Sequence, residues 1–266
     1  MPGGKEPPRE CPGTGRNGGA LTKGTEERVV SMDARADTNG DRPASAPTEY
    51  DAEPFVPRGG GMENLRRAAA SCRGCPLFAD ATQTVFGAGP AGARLVLVGE
   101  QPGDQEDRRG EPFVGPAGAL LHKALSEAGI DDEPVYFTNA VKHFKHTVAE
   151  RGKRRIHKTP SLREMKACRP WLAAELRVID PDLVVALGGT AGKALLGSSF
   201  RVNEQRGVLL PMPAPDALGG TTAATEPGHA QLLATVHPSA VLRAPDRESA
   251  YQGLLADLRV AATALT

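Results

Sequence analysis

The turn Gly99-Glu-Gln-Pro-Gly-Asp104 brings together two carboxylates that could do acid–base chemistry, Glu100 and Asp104, and an amide, Gln101. Carboxylates repel phosphate, so this is not a loop that cradles a phosphate. Carboxylates in a turn can instead accept a proton or stabilise positive charge that develops during a reaction. The turn follows a short apolar run, and its proline has no backbone N–H, so a strand ends here.

Further polar side chains follow other apolar runs. Asn139 ends one run, and its amide has a donor and an acceptor that suit a base edge with a carbonyl beside an N–H. His237 and Ser239 follow another run and would lie at the same crevice. Phe113, flanked by turn residues, could stack on a flat base there. The ordinary alternatives are a turn-forming asparagine, a structural histidine and a core phenylalanine.

A basic segment runs from residue 143 to residue 158. It contains Lys145, Arg151, Lys153, Arg154, Arg155 and Lys158 against a single acidic residue, Glu150. Such a segment is commonly a solvated surface loop, and phosphate binding is the alternative. Since cations surround His157, we expect a lowered pKa and a neutral imidazole near pH 7. A neutral imidazole is a competent nucleophile or base.

The cysteines indicate a metal or reactive site. Cys72 and Cys75 have the Cys-x-x-Cys spacing that lets two thiolates hold one ion or part of a cluster, and Cys168 is the other cysteine of the predicted folded part. A redox pair and half of a zinc site both fit this spacing, although the flanking sequence does not resemble a thioredoxin unit. With four cysteines among 266 residues, a disulfide framework is not expected.

The composition predicts a globular domain with a polar N-terminal extension. Hydrophobic residues make up 39% of the chain, and no apolar run reaches membrane-spanning length. The N-terminus does not resemble a signal peptide, so we expect a cytoplasmic protein with no membrane partner. The formal net charge is zero, so nucleic-acid binding would depend on local basic clusters. Residues 1–60 are predicted to be disordered, and residues 62–266 to form the domain.

Apolar runs that alternate with helical patterns predict an α/β fold with a mostly parallel four-stranded sheet covered on both faces. The predicted strands are 94–98, 135–139, 183–187 and 232–236. The predicted helices are 63–71, 116–128, 161–178, 190–196 and 247–264, and residues 211–230 are predicted to be a surface loop.

Together these segments resemble the uracil-DNA glycosylase superfamily. The residues that carry the resemblance are Gly99-Glu-Gln-Pro-Gly103, Glu111-Pro-Phe-Val-Gly-Pro-Ala-Gly118, Asn139-Ala-Val-Lys142 and His237-Pro-Ser239. With its cysteines, the chain is similar to the iron–sulfur branch, family 4, over about residues 62 to 264. Lys153-Arg-Arg-Ile-His157 resembles the signature loop of the UdgX subgroup, whose members attach covalently to uracil-containing DNA through the loop histidine.

The resemblance implies a three-layer αβα sandwich and a role for each of these residues. The attaching residue would be His157, and the other catalytic residues would be Glu100, Gln101, Asp104 and His237. Phe113 would stack on uracil, and Asn139 would read its edge. The remaining substrate contacts would come from Ser239, Lys153, Arg154 and Arg155. The expected outcome is single-turnover glycosidic cleavage with a covalent link to C1′, by a monomer acting on uracil-containing, single-stranded DNA. The alternatives are an ordinary multi-turnover family 4 glycosylase and a non-catalytic, metal-stabilised nucleic-acid-binding module.

The resemblance also implies a 4Fe–4S cluster. Ordinary family 4 members have a cysteine directly after Val-Lys in the second motif, whereas this chain has His143. The implied ligands are therefore Cys72, Cys75, His143 and Cys168, with His146 as an alternative to His143. A neutral imidazole in place of a thiolate should raise the reduction potential of the cluster. A zinc ion bound by the same residues is the rival interpretation.

Overall fold

An open five-stranded sheet forms the centre of the molecule. The structure is a computed structural model that describes residues 50–130, 134–150, 154–219 and 227–266. Its strands, in chain order, are β1 (Leu95–Gly99), β2 (Val135–Asn139), β3 (His146–Val148), β4 (Arg155–His157), β5 (Leu183–Leu187), β6 (Leu209–Pro213) and β7 (Pro227–Thr235). Its α-helices are α1 (Met62–Ala69), α2 (Asp104–Arg109), α3 (Pro116–Glu127), α4 (Leu162–Ile179), α5 (Gly188–Leu196), α6 (Val202–Gln205), α7 (Pro238–Arg243) and α8 (Arg247–Leu265).

The strands lie in the order β2-β1-β5-β7-β6, and only β6 is antiparallel to its neighbour. β1 and β5 are buried along their whole length because helices cover both faces of the sheet. The predicted α/β fold with a mostly parallel sheet between helical layers is thus confirmed. The predicted number of strands was one too few.

The missing strand comes from the wrong prediction of a loop over residues 211–230. Residues 209–213 form β6, and β7 already begins at Pro227. Proline cannot donate to a strand ladder, so the two prolines of β6 hide the strand in the sequence. They are tolerated because β6 is an edge strand whose register shifts between Pro211 and Pro213.

Alternate residues of β1 face two separate cores, as expected for a buried strand. Val96 and Val98 pack in the cluster that contains Trp171 of α4. Leu95 and Leu97 pack in the other cluster, with residues of α3 and α8. The sheet is therefore the middle layer of a sandwich, and both of its faces are buried against apolar side chains.

The five predicted helices are present as α1, α3, α4, α5 and α8. α4 begins with a capping box in which Ser161 Oγ accepts from the Glu164 backbone N–H and Glu164 Oε2 accepts from the Ser161 N–H. Short helices α2, α6 and α7 were not predicted, because a helix of one or two turns has too little periodicity to detect. Among the described residues, no helix is long and apolar enough to cross a membrane.

Residues on the N-terminal side of the predicted boundary near residue 60 already contact the domain. Ala52 is buried, and its N–H donates to the Ala167 carbonyl oxygen at 3.0 Å. The guanidinium of Arg163 lies 4.0 Å from the centre of the Tyr50 ring. Both contacts tie this segment to α4. The rest of the predicted extension, residues 1–49, lies outside the described residues.

Parallel pairing brings the carboxyl ends of four strands to one edge of the sheet. Gly99 at the end of β1 is in register with Asn139, and Leu187 at the end of β5 is in register with Thr235. An antiparallel hairpin, β3–β4, stands beside this edge with His146 opposite His157. Ligands bind at this edge in open α/β sheets, so the fold itself marks the place of a site.

Candidate active site

A cavity of about 450 Å³ opens at the carboxyl edge of the sheet. Seven of the predicted site residues line it: Glu100, Gln101, Phe113, Asn139, His157, His237 and Ser239. They come from the ends of β1, β2, β4 and β7 and from the loop before α3. Residues more than a hundred positions apart in the sequence thus face one space. Asp104, Arg154 and Arg155 do not line this cavity, and Lys153 lies outside the described residues.

The Glu100 carboxylate is held at one oxygen and open at the other. Thr190 Oγ1 donates to Glu100 Oε2 at 2.5 Å. Glu100 Oε1 is buried and has no hydrogen-bond partner among the described residues, although His157 Nε2 lies 3.4 Å away. That separation allows attraction but is too long for a good hydrogen bond. An unpaired buried carboxylate oxygen is costly, so it is expected to have a function.

The imidazole of His157 is half-exposed at the cavity mouth. Partial burial is the largest influence on its pKa and lowers it; Arg243 also lowers it, while Glu100 raises it. The net direction is below the ordinary value, so the ring is neutral near pH 7. The sequence predicts this direction, but it attributes the shift to the cations of the loop. The structure attributes it to burial and to Arg243, which lines the same cavity.

His237 presents one defined ring nitrogen to the cavity. Burial lowers its pKa to about 4, so the ring is neutral. Its Nδ1 accepts from the Ser239 backbone N–H at 3.1 Å and lies 2.8 Å from Ser239 Oγ. Because a neutral imidazole that accepts at Nδ1 carries its proton on Nε2, His237 is a hydrogen-bond donor at Nε2. Pro238 starts α7 directly after His237, which is the N-cap of that helix.

Phe113 and Asn139 form one wall of the cavity, and both are buried. A Cβ atom at Gly99 would lie 2.3 Å from Asn139 Oδ1 and 2.8 Å from Phe113 Cζ, so only glycine fits between them. Phe113 has φ +56°, an unusual value for a residue with a side chain, and its carbonyl packs closely on Gly118 of α3. This strained backbone places the ring beside His237, with ring centroids 6.5 Å apart.

The Gln101 side chain anchors the β3–β4 hairpin. Its Nε2 donates to the carbonyl oxygens of Lys145 and Lys158, each at 3.1 Å. Its Oε1 accepts from the Lys145 backbone N–H at 3.0 Å. These bonds use both ends of the amide and hold the two strands of the hairpin at the cavity. The predicted catalytic role of Gln101 becomes a positioning role in this geometry.

Arg155 also ties the hairpin to the body of the domain, and its predicted contact with the substrate stays a prediction. Its guanidinium donates to Asp104 Oδ1 and to Asp107 Oδ2, both at 2.5 Å, and to Thr82 Oγ1. It also lies over the ring of Phe144. The Arg155 side chain is 12% exposed, and two carboxylates balance its charge within the protein. Asp104 is one of those partners, bonds Arg108 as well, and so positions the hairpin instead of acting in the cavity.

A model of the family described as the uracil DNA glycosylase superfamily matches residues 86–259, which contain every cavity residue described above. The chain belongs to the uracil-DNA glycosylase superfamily. It is 37% identical to the type-4 uracil-DNA glycosylase of Thermotoga maritima over 68% of this chain and 83% of that protein. It is 32% identical to the type-4 enzyme of Pyrobaculum aerophilum over 73% of this chain and 91% of that protein.

Two residues that act on the side chains of this cavity were not predicted from the sequence. Thr190, in the first turn of α5, holds Glu100, and Arg243 ends α7 and acts electrostatically on both cavity histidines. Thr190 could have been found by applying the strand-end rule to β5, which ends three residues earlier. Arg243 had no comparable signal, since an arginine in a short helix is commonly a surface residue.

Three buried cysteines lie close together behind the cavity. Lys142 N–H donates to Cys168 Sγ at 3.3 Å, and the Trp171 indole N–H donates to Cys72 Sγ at 3.2 Å. Burial raises the pKa of Cys75 to about 11 and also raises that of Cys168, and the neighbouring cysteines add to both shifts. Buried thiolates therefore need a positive group to balance them, and donors to sulfur are typical of cluster ligands.

His143 lies next in the chain to Lys142, whose N–H bonds Cys168. Its ring is buried, and its Nε2 lies 2.9 Å from Thr84 Oγ1. His146, the alternative ligand, stacks on Phe144. Within the described ranges, no three His, Cys, Asp or Glu side chains converge as they would on one metal ion. The cluster and its fourth ligand therefore stay predictions.

Proposed function

We propose that this chain excises uracil from DNA and, in the same event, becomes linked through His157 to C1′ of the deoxyribose. The similarity to type-4 uracil-DNA glycosylases supports excision. One observation carries the covalent step. His157 Nε2 lies 3.4 Å from the unpaired Oε1 of Glu100 at the mouth of the cavity. A neutral imidazole thus stands where the activating carboxylate of a hydrolytic enzyme would hold water.

The uracil is everted into the cavity before the reaction, because its glycosidic bond is not accessible in a stacked helix. Asn139 has the donor and acceptor that a uracil edge requires, and Phe113 offers the ring on which the base stacks. Eversion costs least from an unpaired strand, so we propose single-stranded DNA as the preferred substrate.

Bond cleavage leaves the electron pair on uracil and positive charge on the sugar. His237, which carries its proton on Nε2, donates a hydrogen bond to a carbonyl oxygen of the departing uracil anion. The Glu100 carboxylate stabilises the oxocarbenium character at C1′. Burial lowers the pKa of His237, so its imidazole is neutral near pH 7 and can donate this hydrogen bond.

The His157 imidazole then forms a nitrogen–carbon bond to C1′ in place of water. The proton that the imidazole loses passes to Glu100 and, through solvent, to the uracil anion. The balanced outcome is one free uracil and one protein–DNA adduct per molecule. Because the adduct consumes the imidazole, each molecule turns over once.

The buried cysteines support a 4Fe–4S cluster held by Cys72, Cys75 and Cys168, with His143 as the fourth ligand. Such a group would cross-link the segment directly after α1, which contains Cys72 and Cys75, to Cys168 of α4, and it could carry one electron. Iron and sulfide analysis, with the visible absorbance of the purified protein, tests this assignment. One tightly bound zinc ion and a colourless protein would favour the zinc alternative.

A denaturing gel tests the covalent step. The full chain is mixed with single-stranded DNA that contains one uracil, and we expect a slowly migrating adduct in stoichiometric yield. His157→Ser should abolish the adduct and leave free abasic sites, because serine leaves room for water. His146→Ser is the matched control, since His146 lies opposite His157 in the hairpin but stacks on Phe144. It should retain the adduct.

The second candidate function is multi-turnover hydrolysis, which the similarity to type-4 enzymes favours. It predicts several abasic sites per protein molecule and no adduct. Reversible, salt-sensitive binding without uracil preference would instead indicate a non-catalytic nucleic-acid-binding module. An adduct that persists unchanged in His157→Ser would exclude His157 as the attaching group.

A further inference from the structure

The β3–β4 hairpin has an outer face that the catalytic proposal does not use. Side chains alternate along β4, so Arg155 and His157 point toward the domain, while Arg154, Ile156 and Lys158 point outward. The two flanking backbone bonds, from Ala149 N to Arg154 O and from Lys158 N to Lys145 O, extend the ladder over this whole stretch. The outer face is therefore regular, with a cation on each side of an isoleucine.

Ile156 is 43% exposed and belongs to a small group of exposed large apolar residues within the described ranges. The register places Thr147 opposite Ile156 and Val148 opposite Arg155, so the exposed Val148 lies on the other face of the hairpin. The apolar side chain of the outer face is therefore that of Ile156, which counts as a contact surface only together with the charges on either side of it.

The cations of this face have no acidic partner among the described residues. Arg154 and Lys158 are exposed and form no ion pair there, whereas Lys145 on the partner strand is paired with Glu164 at 2.8 Å. Unpaired cations that alternate with an apolar side chain match a nucleic-acid strand, in which phosphates alternate with bases.

The face is also fixed relative to the cavity. Ile156 lies one residue before His157, which lines the cavity, and Gln101 and Arg155 hold the hairpin to the domain. A nucleotide next to an everted uracil would therefore meet this surface.

We propose that the outer face of the hairpin, defined as Arg154, Ile156 and Lys158, binds the DNA strand beside the everted uracil. The side chain of Ile156 packs against the neighbouring base, and the two cations contact the flanking phosphates. This proposal rests on DNA being the substrate, but it does not require the covalent step.

The test measures the coupling between Ile156 and the neighbouring base. The full chain is titrated with single-stranded DNA that contains 2′-fluoro-2′-deoxyuridine, whose fluorine slows glycosidic cleavage. Three oligonucleotides are compared: one intact, one lacking the base on the 5′ side and one lacking the base on the 3′ side. Ile156→Thr keeps β-branching and shape. Val208→Thr is the matched control, because Val208 is 56% exposed and precedes the far edge strand β6.

We expect Ile156→Thr to weaken binding of the intact oligonucleotide by roughly 5- to 20-fold, within the range known for loss of one base contact. Val208→Thr should change binding by less than about twofold. Removal of the neighbouring base that Ile156 contacts should weaken wild-type binding by a similar factor. The affinity of the Ile156→Thr variant should be the same with and without that base. Equal losses in wild type and Ile156→Thr for both altered oligonucleotides would overturn the base contact.

The phosphate contacts have a separate readout. Arg154→Ala and Lys158→Ala should each reduce the dependence of log Kd on log salt by about 0.7 for a single strand. An unchanged slope in both variants would overturn that part of the proposal. If the wild-type protein forms no adduct and excises no uracil, the proposed function fails. The binding data would still decide the role of this face.

Discussion

Thr190→Val tests whether the hydroxyl at the start of α5 sets the catalytic carboxylate. Thr190 Oγ1 donates to Glu100 Oε2 at 2.5 Å, which leaves Oε1 directed at His157 Nε2 at 3.4 Å. Valine has the shape of threonine but no donor. In that variant neither oxygen of the carboxylate has a hydrogen-bond partner among the described residues, so the carboxylate is free to rotate away from His157.

The size of the effect follows from the bond that is lost. A hydrogen bond to a charged group contributes about 1.5–3 kcal/mol. If the whole of it served the transition state, the reaction would slow by about 10- to 100-fold, since each 1.4 kcal/mol is tenfold. Because cavity water can bond Oε2 in place of the hydroxyl, we expect the lower part of that range, about 10- to 30-fold.

The assay is the single-turnover rate of adduct formation at saturating protein, with uracil release followed in parallel. Thr190→Ser, which restores the hydroxyl, should recover most of the rate. Circular dichroism and the melting temperature show whether each variant is folded. A Thr190→Val rate within twofold of wild type, or a Thr190→Ser rate as low as that of Thr190→Val, would refute this role for Thr190.

Three further predictions concern other parts of the site. The rate of adduct formation should be level near pH 7–8 and fall at lower pH. The fall follows the lowered pKa of His157, because only the neutral imidazole attacks C1′. A rate that rises on acidification would contradict this. Gly99→Ala should leave the protein folded but reduce the affinity for uracil-containing DNA at least about tenfold, because the new Cβ would clash with Asn139 Oδ1. Titration with that DNA measures the affinity. An affinity equal to that of the wild type would show that Asn139 and Phe113 can shift to accommodate the methyl group. Arg155→Lys should lower the melting temperature by roughly 3–6 °C and slow adduct formation, because lysine lacks the planar, spread donors with which the guanidinium bonds both carboxylates. Calorimetry and the gel assay measure the two effects, and unchanged values would mean that the hairpin is held without Arg155.

Sequence patterns alone were sufficient for the buried strands, the longer helices and seven of the residues that line the cavity. Leu95–Gly99 and Leu183–Leu187 are short apolar runs, and each is followed by residues that cannot extend a strand. In a parallel sheet such strands end at one edge, so polar residues directly after them converge whatever their distance along the chain. For this reason Glu100, Asn139 and His237 could be assigned to one crevice before any coordinates were considered.

What the sequence could not determine was which partner each polar side chain has. Arg155 and His157 belong to the same basic run, yet one is bonded to Asp104 and Asp107 while the other stands at the cavity mouth. That division is made by the β3–β4 hairpin, whose orientation depends on the Gln101 hydrogen bonds and on the ion pairs of Arg155 with Asp104 and Asp107 of α2. Composition records that a cation is present, but only tertiary packing decides whether a carboxylate from elsewhere neutralises it. Tertiary structure also decides the antiparallel edge strand β6. Its two prolines favour a loop, but β6 forms because its backbone pairs with β7.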